Sequence, residues 1–262
     1  MTLATRTRAG ASLIVTNHNT ARRNALSPDY YATLALALED AASDPGIACL
    51  ILTGAGDFFC AGGDLNLLRE RRTLPEAERR ARVDQLHDLI RGIRSCPKPV
   101  MAAVEGGAAG AGMSLAFAAD LIVASREARF TAAYVKAGLT PDGGLTHALL
   151  TRLPRPMVAE ALLFGTPIPA ERLYALGAIN RLCNPGDALA TACALADTLA
   201  TGAGGAQATI KSLMTSAAHT DPATHLDHER DAMAHAVTSP DGIEGIDAFL
   251  GKRPADFRKT RI

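Results

Sequence analysis

Apolar positions follow two rhythms along this chain, and each predicts a different kind of element. Residues 47–53 and 99–104 are almost unbroken apolar runs, the first ended by Gly54, Ala55 and Gly56. Such runs suit strands covered on both faces, as in a parallel sheet. Shorter β segments are predicted at 12–16 and 121–124. A helical rhythm sets in over 30–42, where Leu34, Leu38 and Ala41 share a face behind a Ser27 cap and Pro28. It returns over 83–94 through Val83, Leu86, Leu89, Ile90 and Ile93. The stretch between, 69–82, is the most charged of the chain and reads as a mobile rim helix with a solvated face. Beyond Leu153 helices are expected at 157–164, 170–176, 187–199, 206–217, 222–237 and 241–250, with no strong strand after about residue 182.

Strands alternating with helices predict an α/β fold whose parallel strands are joined by crossovers. The 262 residues suffice for one good core. The pattern divides them into a strand-bearing core over 1–200 and a helical part over 201–262.

Composition narrows the function classes. Formal net charge is zero, so nothing electrostatic points to nucleic acid or a membrane surface. Aromatic content is 4% with no Trp, which argues against base stacking. Five cysteines without CxxC spacing suggest neither a disulfide framework nor structural zinc, and suit a reducing compartment. The apolar stretch after Arg6 and Arg8 is too short for a secretory signal, and the run over 106–119 is too short and glycine-rich to span a bilayer. The expected location is the cytoplasm.

Two glycine-rich turns carry the candidate chemistry. One is Phe58-Phe59-Cys60-Ala61-Gly62-Gly63-Asp64-Leu65; the other runs from Val104 to Leu115 and opens a helix that reaches Asp120. Small residues let a ligand approach the backbone, and the first N–H groups of a helix have no intrahelical acceptor. Two such turns, each leaving a strand, can aim two N–H donors at one oxygen, which is an oxyanion hole.

Four further signals stand beside them. Gly110-Ala111-Gly112 lacks the third glycine and the later acid of a dinucleotide fingerprint. Gly112-Met113-Ser114-Leu115-Ala116 is similar to a nucleophile elbow, but places Ser114 inside a helix. His225 and His228 beside Glu229 have a spacing open to a metal, among charges typical of a solvated face. Pro141-Asp142-Gly143-Gly144 is by itself a turn; beside an oxyanion hole its carboxylate becomes a candidate acid or base.

Taken together these residues resemble the crotonase superfamily, the enoyl-CoA hydratase/isomerase family. The matching pieces are Asn24-Ala25-Leu26, the span from Leu52-Thr53-Gly54 to Asp64-Leu65, and Lys98-Pro99-Val100 through Glu105-Gly106. They continue with Ala109-Gly110-Ala111-Gly112, Asp120 to Ala124, Gly138 to Gly144, and Phe249-Leu250-Gly251-Lys252-Arg253-Pro254. Each is weak alone; their order and spacing, from about residue 11 to the C-terminus, are specific. The resemblance implies a spiral of ββα units with a helical C-terminal trimerisation region, assembled as a homotrimer or dimer of trimers. It implies an acyl-CoA thioester substrate, with coenzyme A as part of that substrate, no separate cofactor and no metal. By position, the oxyanion donors would be the N–H groups of Gly63 and Ala111. The pantetheine and nucleotide would lie along Arg23, Ala25, Ala61, Asp64 and Leu65. Phe249 and Lys252 of a neighbouring subunit would cover the adenine and phosphates.

The departures from the family pattern bear on the reaction. The two glutamates of its hydratases fall at Ser114 and Tyr134, and Glu127 is the sole carboxylate between Leu121 and Pro141. Asp142 matches the carboxylate of isomerase-type members, and one shuttling base suffices to move a double bond. The combination resembles the branch holding phenylacetate-pathway isomerases and alternative oxepin-CoA hydrolases. The expected reaction is isomerisation of an enoyl-CoA, with hydration as its alternative. Tyr134 is expected to orient substrate, lend a proton or pack the core, and Ser114 to hold a water. A serine hydrolase using Ser114 and a non-catalytic acyl-CoA-binding protein are the rival classes.

Overall fold

The computed structural model describes residues 2–260. Among them two sheets form. The larger is ordered β1 (Ala4–Ala9), β2 (Ser12–Asn17), β3 (Cys49–Gly54), β4 (Val100–Val104), β6 (Leu121–Ser125) and β9 (Arg181–Cys183). Strands β1 and β2 pair antiparallel, and every other neighbour in that sheet is parallel. The smaller sheet is ordered β5 (Gly107–Ala109), β7 (Arg129–Thr131) and β8 (Ile168–Pro169). The chain steps repeatedly from the large sheet to the small one and then into helix. β4 runs into β5 and α4 (Ala111–Ala118); β6 runs into β7, then α5 (Leu145–Leu150) and α6 (Arg155–Phe164). β3 does the same in miniature: Cys60 makes a lone bridge to Ala108 of β5 before α2 (Leu65–Glu70) and α3 (Glu76–Ser95). These steps are the ββα spiral.

Alternation along the strands sorts the core onto the two faces of the large sheet. Val15, Leu50, Leu52, Val100, Ala102 and Ile122 face α1 (Pro28–Ser43), α3 and α4. Ile14, Cys49, Ile51, Met101 and Val123 face the other way, onto Ala188, Ala192 and Ala196 of α8 (Ala188–Ala200). Both faces being covered explains why the central strands read as continuous apolar runs. Ser27 caps α1 as expected, its hydroxyl accepting from the Tyr30 N–H at 3.2 Å.

Three local expectations need correction. The charged segment 69–82 is not one helix: α2 ends at Glu70, a 3-10 turn covers Arg71–Thr73, and α3 begins at Glu76. Pro75 forces the break, because the residue before a proline avoids the helical region and Leu74 is extended (φ −76, ψ 148). The glycine-rich run after β4 is not all turn, since three of its residues form β5. Strands β1, β7, β8 and β9 and helix α5 also escaped the pattern, each being six residues or fewer with little room for a period to show.

The chain closes with α9 (Gly204–Ala217), α10 (Pro222–Ala236) and α11 (Pro240–Leu250). Lys211 of α9 is buried; its Nζ lies 2.7 Å from Asp120 and donates to the carbonyls of Ile93 and Lys98 at 2.9 and 3.1 Å. A buried ammonium needs such partners, so this lysine pins the C-terminal helices to the core. Ile210, Met214, Leu226, Met233, Ile243 and Phe249 remain exposed on these helices. No helix among the described residues is long and apolar enough to cross a membrane.

Candidate active site

The two glycine turns lie against each other through their main chains. The Phe59 N–H donates to Glu105 at 2.9 Å, Cys60 to Gly107 at 3.4 Å, and Ala109 back to Cys60 at 2.9 Å. Such approach leaves no space for side chains at two positions. A Cβ on Gly62 would stand 2.6 Å from the Ala109 carbonyl and 2.9 Å from the Ala111 nitrogen, at a φ of +89. One on Gly112 would stand 2.3 Å from the Cys60 carbonyl. Gly63 follows the first contact and Ala111 opens α4 at the second. Neither N–H donates to another group among the described residues, and both residues line a cavity of about 1380 Å³.

The first turn is braced from behind. Ala61 donates to Arg23 at 2.9 Å and Leu26 to Gly62 at 2.8 Å. Asn24, left-handed at φ 55, sends its side-chain amide to the carbonyls of Ala55 and Phe58 at 2.9 and 2.6 Å. Asn17 and Asn19 in turn hold the carbonyls of Asn24 and Ala25.

On the other side of Ala111 lies a cluster of three residues. The Tyr134 hydroxyl is 2.7 Å from Asp142 Oδ1 and 3.0 Å from Ser114 Oγ. Ser114 donates to the main-chain carbonyl of Asp142 at 2.9 Å. Tyr134 packs beside the second turn: a Cβ on Gly110 would meet its Cζ at 4.0 Å. Burial, then the charge of Asp142, pushes the Tyr134 phenol well above its ordinary range, so the hydroxyl keeps its proton. Gly143 fits because it lacks a side chain; its Cβ would lie 2.7 Å from that of Ser114.

Ser114 is 1% exposed, in the interior of α4, with no histidine among its partners. It has neither the turn nor the base of a serine nucleophile, which removes the hydrolase reading. Cys60 offers no substitute, since burial pushes its thiol up to about 12. His225 and Glu229 stand 3.6 Å apart, and among the described residues no three histidine, cysteine or carboxylate side chains form a metal-binding group.

The residues expected along coenzyme A divide. Ala61, Asp64 and Leu65 line the cavity. Asp64 is engaged with Arg22 and caps α2 by accepting from Asn66 at 2.8 Å, so its carboxylate has a structural task. Arg23 is exposed with its guanidinium 5.4 Å from the Phe58 ring, and Ala25 is buried behind the turn. Phe249 and Lys252 lie at the end of α11 and do not line the cavity of their own chain.

Tyr31 was not singled out from the sequence. It lines the same cavity from α1, and burial, followed by the charge of Asp142, pushes its phenol up to about 12 against the pull of Arg71. The Tyr30-Tyr31 pair hinted at it, because neighbours on a helix face different ways and Tyr30 is in the core.

Paired glycine turns over a deep cavity, inside a ββα spiral, make this a crotonase-fold enzyme. The enoyl-CoA hydratase/isomerase family model matches residues 8–260, and the chain belongs to that family. It is 38% identical to a 1,2-epoxyphenylacetyl-CoA isomerase of Escherichia coli over 237 residues, 90% of each chain. It is 30% identical to a 2,3-dehydroadipyl-CoA hydratase of the same organism, over 94% of each chain. An enoyl-CoA hydratase structure from Polaromonas sp. JS666 superposes with a TM-score of 0.94 at 42% identity, covering 96% of this chain and 98% of the other.

Proposed function

We propose that this enzyme isomerises the double bond of an enoyl-CoA. The Gly63 and Ala111 N–H groups hold the thioester oxygen, and Asp142 carries the proton. The bond electrons released when Asp142 takes a proton from the acyl chain move onto the thioester oxygen, where two fixed donors stabilise the enolate. Return of that proton to a different carbon completes the shift with no net gain or loss of atoms. No cofactor beyond the substrate's own coenzyme A enters this scheme. A homotrimer or dimer of trimers would give the exposed apolar face of α9 to α11 a partner and bring Phe249 and Lys252 to a neighbour's nucleotide site.

One observation carries this reading: Tyr134 holds the Asp142 carboxyl beside the second glycine turn. The cavity's other carboxylates are Asp64, tied to Arg22, Asp88, paired with Arg91 at 2.6 Å, and Glu70, exposed at the end of α2. Similarity to the named isomerase agrees. Similarity to hydratases supports a second reading, in which Asp142 positions water for addition to a 2-enoyl-CoA.

A panel of 2-enoyl-, 3-enoyl- and saturated acyl-CoAs in deuterated buffer, followed by mass spectrometry, separates the two. We expect deuterium in the acyl chain or a moved double bond, both abolished in Asp142→Ala. A product heavier by one water favours hydration. Unchanged turnover by Asp142→Ala removes Asp142 from the chemistry.

A further inference from the structure

We infer that Tyr134 is a positioning residue whose hydroxyl turns between Ser114 and Asp142 as Asp142 gains and loses its proton. The inference rests on the reading of Asp142 as the base and follows from counting protons. Three oxygen–oxygen contacts join the cluster: Ser114 Oγ to the Asp142 carbonyl at 2.9 Å, Ser114 Oγ to Tyr134 at 3.0 Å, and Tyr134 to Asp142 Oδ1 at 2.7 Å. A carbonyl has no proton to give, so the first contact is a hydrogen bond only while it holds the single proton of Ser114, the direction its geometry fits. The second contact then needs the single proton of Tyr134. The third is left without one unless Asp142 supplies it.

Two arrangements follow. With a neutral carboxyl all three contacts are hydrogen bonds, donated in turn from Asp142 to Tyr134, to Ser114 and to the Asp142 carbonyl. With a carboxylate, Tyr134 turns its proton to Asp142 and the contact with Ser114 goes empty. Every heavy atom is already in place for both. Tyr134 and Ser114 are buried, and Gly143 seats the carbonyl on Ser114 at a φ of +60 that other residues resist. The base therefore meets a matched partner before and after it takes a substrate proton, and the change between them is the rotation of one hydroxyl. The proton taken from carbon stays on Asp142; none passes to Tyr134 or Ser114.

Among the described residues Tyr134 is the one side chain hydrogen-bonded to the Asp142 carboxyl. The other charged or titratable groups lining the cavity are Tyr31 of α1, Asp64 at the cap of α2, Glu70 of α2, Arg71 of the 3-10 turn, Arg82, His87 and Asp88 of α3, and Lys136 beside Tyr134.

The two arrangements predict opposite effects for two conservative variants. Tyr134→Phe removes the donor that the carboxylate uses, so ionisation becomes harder. Ser114→Ala removes the acceptor that the neutral arrangement uses, so ionisation becomes easier. In substrate-free protein labelled at the aspartate carboxyl carbon, the Asp142 signal is identified by its loss in Asp142→Asn and followed by NMR against pH. The midpoint is expected to rise by about one pH unit in Tyr134→Phe and to fall by about as much in Ser114→Ala, each roughly a tenfold change in the equilibrium. General loosening of the site would move both the same way. Shifts of one sign, or none in either variant, overturn the inference.

Replacing all four tyrosines with 3-fluorotyrosine strengthens the donor without deleting a group, and should lower the midpoint even where Tyr134→Phe folds poorly. A raised or unmoved midpoint there counts against the switch. A His228→Gln control, exposed on α10 and outside the cavity lining, should leave the midpoint in place. The titration needs no turnover, so its failure is distinct from a failure of Asp142 in the deuterium experiment.

Discussion

The cavity wall formed by 58–64 and 106–112 is held by main chain against main chain, whereas α2 and α3 face it with side chains. The first wall has Gly62 and Gly112 where a side chain would meet the facing backbone, and its two free N–H groups take their direction from the backbone. The second carries Leu67, Leu68, Leu86, Arg71, Arg82 and His87 and is interrupted at Pro75. The contrast separates two tasks. Backbone donors cannot be altered one at a time, so they suit the step shared by every substrate. Side chains can be exchanged singly, so they suit recognition of a particular acyl group.

The sharpest way to break this contrast is Gly112→Ala. Its methyl would meet the Cys60 carbonyl at 2.3 Å and the Cys60 Cβ at 2.8 Å, wedging the two turns apart. Turnover is expected to fall by about 100-fold or more, the scale of losing one oxyanion donor, with acyl-CoA binding weakened less. Steady-state kinetics beside equilibrium binding would show it; a loss under tenfold would mean the turns tolerate separation.

Leu86→Ala probes the opposite wall. The side chain is 2% exposed on α3, near Gly143. Truncation should cost about 2–3 kcal/mol in chemical denaturation while kcat stays within about tenfold of the parent. A collapse of kcat comparable with Gly112→Ala would erase the division between the walls.

The smallest effect is expected at Asp64, where the first wall passes into α2. Asp64 is penalised by burial, but the Asn66 N–H and Arg22 outweigh this and hold its carboxyl below the usual range. A depressed value means its contribution is present above the ordinary carboxylate range and is lost as pH falls through the folded-state value. Below about pH 4, amide exchange in 65–70 should therefore speed up before exchange in 107–112. Asp64→Ala should remove this difference and lower stability by about 1 kcal/mol through the lost cap. Equal acceleration in both segments at low pH would contradict it.

The glycine turns and Asp142 were legible because they depend on residue types with strong local meanings. Apolar runs likewise located β3, β4 and β6, and helical spacing located α1 and the body of α3. The break at Pro75 was also present in the sequence, as the proline itself, within a charge pattern that suits one continuous solvated helix. Strands β5, β7, β8 and β9 have three residues or fewer, too few for a two-residue period to stand out. The meeting of Ser114, Tyr134 and Asp142 had no local signature, and the only one for Tyr31 was its pairing with Tyr30.

The sequence by itself determined the family, the strands β2, β3, β4 and β6 with most of the helices, and the two turns where the chain had to be free of side chains. Tertiary structure alone decided that Gly62 lies against Ala111, that Ser114 and Tyr134 bond with each other and with Asp142, and that Asp64 holds Arg22. The reason is one of range. A local pattern reports how a segment's own backbone and faces prefer to lie, within a few residues. Contacts across eight or more positions, as from Tyr134 to Asp142, depend on how the intervening elements pack, and that is a property of the whole core.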